Sequence, residues 1–142
     1  MEKFELFLKK NKIVKGNIFY PATAAILDEN GKPVEWELRA VPTKENNLLI
    51  DESTKYTVAE SGEIVPTFDN NLYVKKLVAA AVVYPDLHNR ALQDSYGVMT
   101  PEDLLEAIVD CPEEFNLLAK KVKEHNGASK KNEAKETKEA KN

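Results

Sequence analysis

One cysteine, Cys111, stands in 142 residues, so an internal disulfide framework and a cysteine-rich metal site are both excluded. The five glycines stand singly. No loop can therefore cradle a phosphate through several successive amides, and neither the dinucleotide-binding nor the P-loop pattern occurs. No serine sits in a G-x-S-x-G elbow. The two histidines, His88 and His125, are far apart, and neither has a second His or Cys at metal-ligand spacing. Both read as surface residues on helices. No stretch reaches the roughly 18 apolar residues that span a bilayer. The N-terminus carries acid inside its apolar stretch, unlike a signal peptide. Lys and Arg number 20 against 24 Asp and Glu, and this net charge of −4 speaks against a broad nucleic-acid or membrane surface. The expectation is a soluble intracellular protein with no cofactor, no metal and no catalytic residue. Cys111, at the expected N-terminus of the helix opening at Pro112, has no histidine base in any recognisable motif and reads as a cap-position or half-buried thiol.

With 42% hydrophobic and 31% charged residues, the chain has the size and composition of one folded unit. Residues 126–142 are rich in Lys and Glu with no residue larger than Ala to bury, and read as a disordered, solvated tail. The folded domain is then about 1–125, with a small helix-and-hairpin region over about 1–68 and a helical region over about 69–125. The fold class expected is α+β and mostly helical: a small N-terminal antiparallel sheet packed on about four helices.

Phe4, Phe7 and Leu8 fall on one helical face. So short a segment needs a surface to dock on, in its own domain or on a partner. Val34, Trp36, Leu38 and Ala40 alternate with Glu35, Glu37 and Arg39, as in a strand with one wet face. Asp28-Glu29-Asn30-Gly31 supplies turn chemistry before it, with Thr23 to Leu27 as the other arm and Ile13 to Tyr20 as a third strand. Trp36 shares the core-facing row; on an uncovered hairpin that row would be a recognition strip. Thr43 reads as the N-cap of a helix to about Ser53. Tyr56-Thr57-Val58 and Ile64-Val65 flank a second small hairpin.

The C-terminal half reads as helices. One runs from Asn70 to Tyr84 and is stopped by Pro85. The next is capped by Asp86 and ends at Gly97. A third starts at Thr100-Pro101, with Leu104, Leu105, Ile108 and Val109 as its buried stripe. The last opens at Pro112, with Phe115, Leu118, Ala119 and Val122 on one face, and ends at Gly127. The stretch from Leu72 to Leu92 is so apolar that it is either central in the domain or presents an interaction surface.

Four segments together resemble the tail assembly chaperones of contractile-tailed phages and defective prophages of Gram-positive bacteria, the XkdN-like type. These are Phe7-Leu8-Lys9-Lys10-Asn11; Asp28 to Ala40 with its turn, Trp36 and Arg39-Ala40; Asn71 to Val78; and Tyr84-Pro-Asp-Leu-His-Asn-Arg-Ala-Leu-Gln-Asp-Ser-Tyr-Gly97-Val98, followed by the capped helix at Thr100. The resemblance implies a non-enzymatic protein of the bacterial host cytoplasm, absent from the mature particle. Its partner would be the tape measure protein, kept soluble until tail tube protein polymerises around it, with no nucleic acid or membrane involved and a homo-oligomer left open. A helical client calls for an apolar groove, and the residues expected to line it are Tyr84, Pro85, Leu87, Leu92 and Tyr96. Leu92→Lys is expected to remove client binding. Two other readings fit the same apolar helices: a minor tail or head–tail connector protein, which would co-purify with particles, and a regulatory or antitoxin-type binding protein, which would sit among toxin genes.

Overall fold

The computed structural model describes residues 3–127. Among the described residues, five α-helices and five strands follow each other: β1 (Ile18–Tyr20), β2 (Trp36–Leu38), α1 (Thr43–Glu52), β3 (Thr54–Val58), β4 (Ile64–Phe68), α2 (Asn70–Ala81), β5 (Val82–Tyr84), α3 (Arg90–Tyr96), α4 (Pro101–Ile108) and α5 (Pro112–His125). The fold is α+β and mostly helical, as the patterning predicts. The proposed tail lies, from residue 128 on, outside the described residues.

Strands β1, β2 and β5 form an antiparallel sheet in the order β1-β2-β5. Trp36 and Leu38 point inward from the middle strand and are fully buried, while Glu37 between them is half-buried. Asp28 closes the turn before β2: its carboxylate accepts the amides of Asn30 at 2.8 Å and Lys32 at 3.0 Å, and Gly31 takes φ 78°. The strand that pairs with β2 is nevertheless β1. Thr23 to Leu27 contributes only an isolated bridge, Leu27 to Pro33, and one bond from Val34 N–H to Ile26. Arg39 fastens the sheet to the helices. Its guanidinium donates to Glu45 at 2.6 Å and to the Ala80 carbonyl at 2.9 Å.

The helix expected to reach Tyr84 ends at Ala81, and Val82-Val83-Tyr84 turns into the edge strand β5. Leu38 pairs with Val82 and Glu37 with Tyr84. β-branched and aromatic side chains favour that pleated setting, and the free edge of β2 supplies the partners. What remains of α2 is central: Leu77, Val78, Ala79 and Ala81 are buried together with Leu104, Leu105, Ile108 and Val109, and with Leu118, Ala119 and Val122 of α5. Thr100 caps α4 by accepting Asp103 N–H at 3.1 Å. Two other caps differ from expectation. Pro42 rather than Thr43 occupies the N-cap of α1, and α3 is capped by Asn89, which accepts Leu92 N–H at 2.9 Å. Asp86 instead closes the turn before α3, accepting His88 N–H at 3.0 Å.

His88 is exposed on that turn, not on a helix, whereas His125 is buried at 8% exposure on the inner face of α5. The i, i+4, i+7 spacing of His125 from Val122 and Leu118 places it on the buried stripe. The N-terminal segment folds as two 3-10 turns, Lys3–Phe7 and Lys9–Asn11, and stays off the core: every residue from Lys3 to Asn17 is exposed except half-buried Glu5, and Asn17 donates its side-chain amide to Glu37 at 2.8 Å. No helix among the described residues is long and apolar enough to cross a membrane.

Glu114, in the first turn of α5, holds the loop after β1. Its carboxylate accepts Ala24 N–H and the hydroxyl of buried Thr23, both at 2.8 Å. These two bonds favour the charged form and lower its pKa below the ordinary carboxylate range. A depressed folded-state pKa contributes stability above the unfolded-state pKa, and that contribution is lost as pH falls through the folded value. Glu114→Gln therefore destabilises the protein at about pH 7, and in thermal melts the gap to wild type narrows as pH falls through the depressed folded-state value. A gap that stays constant with pH would disprove this role.

Candidate functional site

Of the five residues expected to form a partner surface, Tyr84, Pro85 and Leu87 lie at the end of β5 and on the turn after it, and Leu92 and Tyr96 lie on α3. Tyr84 ends β5, a cis peptide bond joins it to Pro85, and the turn through Asn89 leads into α3. Leu87 points down from the turn and is 1% exposed, packed in the core. It anchors the turn and is not itself accessible. Gln93 reinforces the anchor by donating its side-chain amide to the Leu87 carbonyl at 2.8 Å. Tyr84 is 57% exposed and Tyr96 is 40% exposed. Pro85 and Leu92 are half-buried, and Leu92 packs against the core. A charge at Leu92 would thus disturb packing as well as any contact surface.

The left-handed Gly97, at φ 68°, ends α3 so that its N–H bonds Asp94 and the N–H of Val98 bonds Gln93, each at 3.1 Å. This closure fixes the last turn that carries Tyr96. Tyr96 is thus held on a helix end closed by its own backbone, while Tyr84 ends β5, next to the turn that Leu87 anchors.

A second concave feature lies between α2, α4 and α5, a cleft of about 900 Å³. Leu72, Val74, Phe115 and Ala119 supply its apolar part, and Lys120 and Lys123 border it. Lys75 crosses to Glu106 at 2.8 Å, and that contact raises the Lys75 pKa above its ordinary value. Among the described residues no group of three or more His, Cys, Asp or Glu is placed to hold a metal ion. Cys111 is exposed at the N-cap of α5, and its side chain makes no cap hydrogen bond.

A third surface carried no expected role. Strands β3 and β4 form a hairpin with the register Thr54–Phe68, Tyr56–Pro66 and Val58–Ile64. Period-two alternation puts Tyr56, Val58, Ile64, Pro66 and Phe68 on one face and Lys55, Thr57, Val65 and Thr67 on the other. From Lys55 to Phe68 every residue is exposed except half-buried Ala59, with Tyr56, Val58 and Ile64 each at about 70%. At the base, the Ser53 carbonyl accepts Asp69 N–H at 2.8 Å, and Phe68 leans on Tyr73 with ring centroids 5.6 Å apart. The alternation is present in the sequence; nothing in it says that the hairpin stands off the core.

Apolar rows exposed on fixed elements are the kind of surface an interaction protein presents. The model of the family described as phage XkdN-like tail assembly chaperone protein matches residues 4–141. The chain belongs to this family of phage tail assembly chaperones, whose role is non-enzymatic. The crystal structure of the protein YqbN shares the fold, with a TM-score of 0.74 over 89% of this chain and 98% of that one, at 17% identity. No curated protein matches the chain.

Proposed function

We propose that the protein binds the tape measure protein of a phage tail, keeps it soluble in the host cytoplasm, and gives it up as tail tube subunits polymerise around it, so that the chaperone is absent from the finished particle. The observation that carries this reading is the family match over residues 4–141. The exposed aromatics Tyr84 and Tyr96 support it. On this reading Pro85 and Leu92, both half-buried, join them in offering apolar area to the stripe of a client helix. The contact would then be centred on two anchors. Such a contact yields to a better-matched partner, as release to the growing tube requires.

Size exclusion of the protein co-expressed with the tape measure protein of the same phage tests the reading. The expected result is one co-eluting complex. Separate elution of two soluble proteins would contradict it.

A further inference from the structure

The N-terminal arm and the β3–β4 hairpin present two apolar surfaces of opposite charge. In the arm, Phe4 is 65%, Phe7 88%, Ile13 92% and Val14 86% exposed. Around them stand Lys3, Lys9, Lys10, Lys12 and Lys15, against Glu5 alone within residues 3–15. The hairpin and its base carry Asp51, Glu52, Glu60, Glu63 and Asp69, against Lys55 alone within residues 51–69. Among the described residues, Asp51, Glu60 and Glu63 are in no ion pair, and neither are the five arm lysines.

An isolated two-stranded hairpin is marginally stable in water and gains independence only when its apolar face is covered. Proteins that stay monomeric rarely leave contiguous apolar patches of this kind open. Both the basic arm and the acidic-rimmed hairpin lack such cover within the chain.

We propose that the arm of one copy lies across the β3–β4 hairpin of a second copy, and that the second copy returns the contact, forming a two-fold dimer by arm exchange. Two-fold symmetry makes every contact twice. Phe4, Phe7, Tyr56 and Phe68 each bury about 150–250 Å² when fully covered. Scaled by their exposures and doubled by symmetry, these four contribute about 800–1,350 Å² towards the roughly 1,200–2,000 Å² of a stable interface, and exposed Ile13, Val14, Val58 and Ile64 add to it. The charge pattern orients the arm, since a basic segment is attracted to the acidic rim and repelled by a second arm. The contact uses neither Tyr84 nor Tyr96, so it stands apart from the client-binding proposal.

Two full-length charge-reversal variants test the exchange without any client: Lys9→Glu with Lys10→Glu in the arm, and Glu60→Lys with Glu63→Lys in the hairpin. All four positions are exposed, so both variants keep wild-type circular dichroism. Light scattering after size exclusion is expected to show a dimer for wild type, a dissociation constant raised at least about 10-fold in each variant, and a restored dimer when the two variants are mixed. The mixture pairs each reversed arm with a reversed hairpin across two chains, which an intrachain contact cannot do. A monomeric wild type, a dimer indifferent to either reversal, or a mixture that stays monomeric would overturn the proposal.

Discussion

Tyr84→Lys combined with Tyr96→Lys is expected to leave the protein folded and to weaken its hold on the tape measure protein by about 1,000-fold. Both residues are exposed, at 57% and 40%, and neither belongs to the buried cluster. Surface substitutions of this kind typically change stability by no more than about 0.5 kcal/mol. Aromatic anchors, in contrast, commonly contribute about 2 kcal/mol each to an interface, which gives about 4 kcal/mol for the pair. Lysine removes the apolar contact and obliges the client to desolvate a charge. Isothermal titration with the client, beside thermal melts of the free protein, separates the two effects. Unchanged affinity in a folded double variant would move the client surface elsewhere, with the cleft between α2 and α5 the next place to look.

Trp36→Ala is expected to have the largest effect on the fold. The indole is 1% exposed on the central strand β2, between β1 and β5, and belongs to the core that also holds Leu77, Val78 and Leu104. Truncating a buried tryptophan costs about 3–5 kcal/mol, through lost transfer energy and the cavity left behind. The whole stability of a domain this size is about 5–15 kcal/mol. The variant should unfold at a much lower urea concentration, and at the lower end of that range it would be partly unfolded without denaturant. Trp36→Phe keeps most of the apolar volume and should fall between the two. Urea unfolding followed by circular dichroism measures all three, and a Trp36→Ala midpoint near wild type would show that the sheet is not the keystone of the core.

The contrast between these positions explains which parts of the fold were legible in the sequence. Local chemistry was readable where one residue suffices: the Asp28–Gly31 turn, the Thr100-Pro101 helix start, and Gly97 with its left-handed conformation. Burial was readable where periodicity was strict, as for Trp36 with Leu38 and for the α4 stripe. The end of α2 was not, because a continuous apolar run suits a buried helix or a strand equally until pairing is known. The pairing of Val82 with Leu38 decided it. His125 went unrecognised as a core residue because its polarity outweighed its spacing. For the candidate site, the aromatic positions were legible but their depth was not: Leu87 turned inward, and Leu92 went half-way. The apolar face of the second hairpin was equally visible as a pattern. Its exposure depends on tertiary placement, which local alternation does not encode.

The most direct test of the chaperone account is the soluble fraction of the tape measure protein, expressed alone, with this protein, and with the Tyr84→Lys, Tyr96→Lys variant. The account predicts a protein that is insoluble alone, soluble beside the wild-type chaperone, and insoluble again beside the variant. A tape measure protein that is fully soluble on its own would remove the need for a chaperone and contradict the central claim.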